Sequence, residues 1–151
     1  MVWAYFDTSA VVKRYIDEPG RRQVLQLMRR HSGVISAVLP IELRSALRRR
    51  VSEGSLDKER VPEILKRFEG DRAFWTLVGV SSDVLAAAEV LVVAHPLRAL
   101  DAIHIASAQL FAARITAPKP IFVSADARQT TAAAAVGMTA RQIRSDAPSS
   151  R

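Results

Sequence analysis

The sequence contains no cysteine. That removes disulfide scaffolds, thiolate zinc sites and cysteine nucleophiles, and it suits a reducing compartment, with the cytoplasm as the expected location. Val2-Trp3-Ala4-Tyr5-Phe6 runs straight into Asp7 with neither a basic stretch nor an apolar run of signal-peptide length, so export is not expected. The longest strongly apolar stretch, Val84 to Ala94, is broken by Glu89 and is too short to cross a bilayer as a helix. Repeats, low-complexity blocks and internal Pro/Gly/Ser linkers are absent, and 151 residues suffice for one domain with its own core. One domain over residues 1–144 is expected, followed by a loose polar tail at 145–151.

Lysine is the scarce cation. The 22 basic residues comprise 18 Arg and 4 Lys against 15 acidic residues, giving a formal net charge of +7 and a sequence pI of about 10.7. This balance favours a polyanionic partner, and arginine offers a planar donor fork suited to phosphate. Joint enrichment in Arg and Ala also arises from genomic base composition, and basic charge marks non-specific attraction rather than a fold or a chemistry.

Hydrophobic patterning gives an alternating series. Val2 to Phe6 predicts a buried strand with Asp7 at its carboxyl end, and Asp7-Thr8-Ser9 a cap for a helix that stops near Glu18-Pro19-Gly20. A second helix is predicted over Arg21 to Arg30, a strand over Val34 to Ser36, and a third helix over Ile41 to Val51, with Pro40 in its first turn and Gly54 beyond its end. Ser55 is read as the cap of a helix reaching Arg72, Phe74 to Val80 as a strand, and Ser81-Ser82-Asp83 as the cap of a helix to Ala94. Ala99 to Arg114 is almost continuously apolar and reads as a buried helix. Ile121 to Val123 predicts a strand, Asp126 to Ala135 a helix, and Thr139 to Ile143 a last strand. The alternation predicts an α/β fold with a mostly parallel central sheet flanked by helices, in which ligands sit beyond the strands' carboxyl ends. Asp7 and Asp126 fall at such ends.

Most of the acids, Asp71 among them, lie in openly polar stretches and read as solvated surface, and Glu89 reads as an outward position on its helix. Four others have apolar surroundings: Asp7, Glu42, Asp101 and Asp126. A buried carboxylate is costly unless it is paired or coordinates a metal. Each has an ordinary reading, as a helix cap, a first-turn acid favoured by the helix dipole, or a turn residue. Together they place several carboxylates where an α/β sheet gathers them. Oxygen-only ligands without cysteine and with few histidines suit Mg²⁺ or Mn²⁺ rather than Zn²⁺, and such an ion supports phosphodiester hydrolysis.

Asp7-Thr8-Ser9-Ala10 after the first strand, Pro40-Ile41-Glu42-Leu43, Leu100-Asp101-Ala102-Ile103-His104-Ile105-Ala106 and Ser124-Ala125-Asp126, in this order, resemble the PIN-domain ribonucleases. The resemblance runs from about Val2 to Ile143 and is greatest to the VapC toxins of toxin–antitoxin pairs. It implies a compact α/β/α domain, homodimers, and RNA cleavage by metal-activated water leaving a 5′-phosphate and a 3′-hydroxyl. It further implies Asp7, Glu42, Asp101 and Asp126 as metal ligands, supporting hydroxyls at Ser9 and Ser124, and inhibition by a cognate antitoxin, as in a type II pair. The turn after Asp126, Ala127-Arg128-Gln129, lacks the apolar residue the family motif is expected to carry there.

His104 falls one helical turn from Asp101 on an apolar helix and reads as a hydrogen-bonded core histidine rather than a general base. Arg44, Arg48, Arg49 and Arg50 follow Glu42 on one helix and are candidates for RNA phosphate contact, with a solvated face or a surface for an acidic antitoxin segment as the other readings. Competing functions meet specific obstacles. An aspartate-nucleophile phosphatase expects a second Asp where Ser9 stands, and a receiver-like module expects an acceptor Asp where Phe74 to Val80 leads into Ser81-Ser82. A catalytically inactive PIN-fold RNA-binding or regulatory protein stays open.

Overall fold

Parallel strands that are covered on both faces need near-continuous apolar sequence, and Trp3-Ala4-Tyr5-Phe6 supplies it. In the computed structural model, which describes residues 2–116 and 118–144, this segment forms the central strand β1 (Trp3–Phe6). The chain continues through α1 (Thr8–Tyr15), α2 (Arg21–Arg30), β2 (Ser32–Ser36), α3 (Leu39–Ser52), a 3₁₀ turn (Lys58–Arg60), α4 (Val61–Arg72) and β3 (Thr76–Val78). It then forms α5 (Ser82–Ala94), α6 (Ala99–Arg114), β4 (Ile121–Ser124), α7 (Ala127–Ala135) and β5 (Thr139–Gln142). The sheet runs β3-β2-β1-β4-β5 and every pairing is parallel, so the expected mostly parallel sheet is wholly so.

Successive residues of each inner strand point to opposite faces, and the core divides accordingly. Ala4, Phe6, Ile35 and Val123 pack with Val11, Tyr15, Val24, Leu43, Leu47 and Phe68 under α1 to α4. Tyr5, Val34 and Phe122 pack with Val84, Leu91, Ile105 and Ala132 under α5 to α7. The result is an α/β/α sandwich.

The strand order reverses at β1, whose neighbours are β2 on one side and β4 on the other. Chains leaving β1 and β4 diverge there, and a crevice opens beyond the strands' carboxyl ends. The α1 and α7 starts flank it directly, while α3 and α6 enter from the two sides.

Some sequence expectations shift. Ser55 caps no helix: the backbone N–H groups of Ser55 and Leu56 both return to the Arg50 carbonyl, and α4 begins only at Val61. The strand expected over Phe74 to Val80 shrinks to Thr76–Val78, with Phe74 89% exposed. The α6 helix is buried around its whole circumference in the middle, from His104 to Ala108, as its apolar sequence predicts, and its exposed residues lie at the two ends. The tail expected at 145–151 lies outside the described residues. Among the described residues, no helix is long and apolar enough to cross a membrane.

Candidate active site

Asp7 is the first residue beyond β1. Its backbone N–H continues the ladder to the Val123 carbonyl at 2.9 Å, and its carboxylate caps α1 by accepting from the Ser9 backbone N–H at 3.0 Å and the Ser9 hydroxyl at 2.5 Å. Asp126 repeats the arrangement beyond β4, capping α7 through the Arg128 N–H at 2.9 Å. The capping reading of both acids therefore holds locally, and both also line the crevice. Glu42 enters from the first turn of α3 and Asp101 from the first turn of α6, so all four acids border one open cleft of about 550 Å³. Thr8, Ser9, Arg49, Arg50 and Arg98 line it with them.

The acids are unequally engaged. Glu42 Oε1 accepts from the Thr8 hydroxyl at 2.8 Å and lies 2.5 Å from His104 Nε2. A carboxylate only accepts, so Nε2 carries the proton of that bond. His104 Nδ1 meets the Tyr5 hydroxyl at 2.9 Å, and Nε2 stands 3.4 Å from Asp7 Oδ1. Burial pushes the His104 pKa down, but the charges of Asp7 and Glu42 and the Glu42 hydrogen bond outweigh it and hold the imidazole above its usual value. Asp101 has 18% of its side chain exposed and meets Arg98 Nε at 3.5 Å. Burial and then the charge of Asp7 raise its pKa, with Asp126 adding to the rise and Arg98 opposing it. Burial, followed by the charge of Asp7, also keeps the Tyr5 phenol well above its normal range and therefore neutral.

The PIN domain family profile matches residues 4–134. The chain belongs to the PIN domain family. Its fold is similar to that of a toxin–antitoxin complex from Klebsiella pneumoniae, with a TM-score of 0.59, 16% identity, and coverage of 83% of this chain and 88% of that one. It is likewise similar to FitAcB from Neisseria gonorrhoeae, with a TM-score of 0.66, 15% identity, and 91% and 95% of the two chains covered. DNA-bound VapBC from Salmonella typhimurium gives a TM-score of 0.63 at 17% identity over 95% of this chain and all of the other (100%). Comparison with curated proteins finds no match.

PIN domains are typically nucleases that use divalent metals, and the donor set in this cleft suits a hard cation: carboxylate oxygens, with no sulfur. Two of those acids raise the proton affinity of a third, which is the mutual repulsion a cation relieves. In the arrangement described, Glu42 is turned to His104 and Thr8, and among the described residues no three acids or histidines close around one point.

The supporting hydroxyls expected at Ser9 and Ser124 lie where the sequence places them. Ser9 contacts Asp7, and Ser124 reaches Asp7 at 3.5 Å and Ser9 at 3.2 Å. The arginine cluster of α3 divides. Arg49 and Arg50 reach the cleft, although Arg50 also pairs with Glu18 at 3.1 Å. Arg44 bonds the Pro40 carbonyl and Glu69, and with Arg48 it borders a separate apolar groove floored by Val51, Val61, Pro62 and Leu65.

Sequence reasoning missed Arg98, Thr8, Tyr5 and Gln129 as parts of this PIN site. Thr8 sits inside the first motif and Arg98 just ahead of α6, so adjacency to an acid was the available signal. Only the fold brings Tyr5 and Gln129 to the site. His104 is the buried, bonded histidine that its apolar helix predicts, and it also faces two of the acids.

Proposed function

We propose that this PIN domain is a divalent-metal-dependent endoribonuclease and the toxin of a type II toxin–antitoxin pair. The observation that carries the reading is the convergence of Asp7, Glu42, Asp101 and Asp126, from four separate stretches of sequence, on one cleft walled by Arg49, Arg50 and Arg98. These acids would hold Mg²⁺ or Mn²⁺. Bound there, such an ion supplies Lewis acidity, a water of lowered pKa and neutralisation of charge at the phosphate. The protein's own groups do the rest: the arginines bind the flanking phosphates, Ser9 orients the Asp7 carboxylate, and His104 holds Glu42 by a charge-assisted bond. An RNA backbone is the polyanion to which a chain of net charge +7 is drawn. The toxin role, the antitoxin partner and a homodimeric state draw on the resemblance to VapC toxins and on folds shared with toxin–antitoxin complexes. A cytoplasmic place of action, which the cysteine-free chain suits, belongs to the same reading.

The test is cleavage of a mixed pool of structured RNA by the purified protein with Mg²⁺ or Mn²⁺, with EDTA, and with Asp7→Asn and Asp101→Asn beside it. Metal-dependent cutting that leaves 5′-phosphate ends, and that both folded variants lose, is expected. Products ending in 2′,3′-cyclic phosphate would overturn the hydrolytic mechanism, because they require the RNA's own 2′-hydroxyl as nucleophile. Tight RNA binding with no cutting under any metal would instead favour the inactive RNA-binding alternative.

A further inference from the structure

Gln129 has no exposed surface, although it is a polar residue in the first turn of α7. A buried primary amide brings two donors and an acceptor that must all be satisfied, and here they are. Nε2 donates to Asp7 Oδ1 at 3.1 Å and to the Asp101 backbone carbonyl at 3.3 Å, and Oε1 accepts from the Ser124 hydroxyl at 2.6 Å. One side chain therefore ties the end of β1, the first turn of α6 and the end of β4 together.

Counting hydrogens fixes the direction of every bond. The Asp7 carboxylate and the Asp101 carbonyl only accept, so the amide nitrogen must face them and the amide oxygen must face Ser124. Ser124 then spends its single hydroxyl proton on Gln129 and accepts the Asp126 N–H at 3.0 Å. Ser9 spends its proton on Asp7 Oδ2 and accepts the Ala125 N–H at 3.0 Å. No proton remains for the 3.2 Å approach of the two hydroxyls, nor for the 3.5 Å approach of Ser124 to Asp7. Asp7 Oδ2 thus takes both donors of Ser9, and Oδ1 takes Gln129, with His104 Nε2 3.4 Å away.

We infer that Gln129 is a positioning residue of this cleft: by donating to both Asp7 and the Asp101 backbone it fixes the rotation of the Asp7 carboxylate and its separation from Asp101. An apolar side chain fills the same space but leaves Asp7 Oδ1 without its amide donor and frees the Ser124 proton to turn toward Asp7 or Ser9. The consequence for metal affinity rests on the cleft being the proposed metal site. The consequence for Asp7 does not.

The test compares the wild-type chain with Gln129→Met, which keeps length, and Gln129→Leu, which keeps bulk; neither side chain can donate to Asp7 or offer Ser124 an oxygen acceptor. Crystal structures of the metal-free proteins read the Asp7 rotamer, and calorimetric titration with Mn²⁺ alone reads affinity. Both variants are expected to turn the Asp7 carboxylate and to weaken Mn²⁺ binding by about tenfold or more, the usual cost of losing a partner behind a ligand. An unmoved Asp7 with affinity within about twofold of wild type, against that scale, overturns the inference and makes Gln129 a space filler. A wild-type protein that binds no Mn²⁺ fails the metal reading alone, and the Asp7 rotamer then decides the positioning role. Should Gln129→Met not fold, Gln129→Leu carries the same comparison.

Discussion

Asp71 has openly polar neighbours in sequence, yet it accepts from Arg14 Nε at 2.7 Å, Arg14 Nη2 at 3.0 Å and the Tyr15 hydroxyl at 2.7 Å. Burial pushes its carboxyl up, but the bonds from Arg14 and Tyr15 outweigh that and hold it below the usual value of 3.8. A carboxylate depressed in the folded state stabilises fully above its unfolded pKa, and that contribution is lost as pH falls through the lower folded value. Asp71→Asn is therefore expected to lose about 1.5–3 kcal/mol at neutral pH, the usual worth of hydrogen bonds to a charged group. It is also expected to flatten the acid limb of the stability curve below about pH 4, measured by denaturant unfolding across pH. An unchanged acid limb would show that Asp71 ionises as freely folded as unfolded. The sequence hid this pair because Arg14 and Asp71 are 57 positions apart and meet only once α1 packs against α4.

The α2 helix starts where Pro19-Gly20 predicts, because Gly20 takes a φ of 91°, a left-handed conformation that costs other residues about 1–2 kcal/mol. A methyl added there also comes 2.6 Å from Ile143 Cγ2, a buried side chain just after β5. Gly54, at φ 78°, has nothing within 4 Å of such a methyl. Gly20→Ala should therefore lower the melting temperature clearly more than Gly54→Ala, whose cost is backbone strain alone, and equal shifts would mean that Ile143 yields freely. Element starts were legible wherever a cap or a glycine marks them. The α4 start was misread because Ser55 resembles a cap, although Pro62 carried the better signal. Proline lacks the N–H that a helix interior needs, so a helix containing Pro62 starts near it, and Pro62 occupies the first turn of α4. Leu56, buried as the chain turns back toward α3, takes up the intervening residues.

At the scale of the whole molecule, the sheet and the four-acid cleft were legible for a shared reason. Continuous apolar runs mark strands covered on both faces, and an acid at the end of such a run, Asp7 or Asp126, sits on the rim that those strands form, while Glu42 and Asp101 stand out as acids within apolar helical sequence. What spacing could not convey was which cations face that rim. Four consecutive-looking arginines on α3 point to different places, and Arg98 joins the cleft from another helix. Phosphate contacts reveal themselves in salt dependence, because each cation that neutralises a phosphate releases counterions and contributes about 0.7 to the log–log slope for a single strand. In an Asp101→Asn background, chosen because the proposed cleavage is expected to be lost there, Arg49→Ala and Arg98→Ala should each weaken RNA binding and flatten the slope by roughly that amount. Arg48→Ala, on the apolar groove away from the acids, should leave the slope unchanged. If Arg48→Ala flattened the slope as much as Arg98→Ala, the RNA path would run along the α3–α4 groove and the cleft arginines would not define it. The comparison reads charge placement rather than chemistry, so it tests RNA binding at the cleft separately from the proposed cleavage.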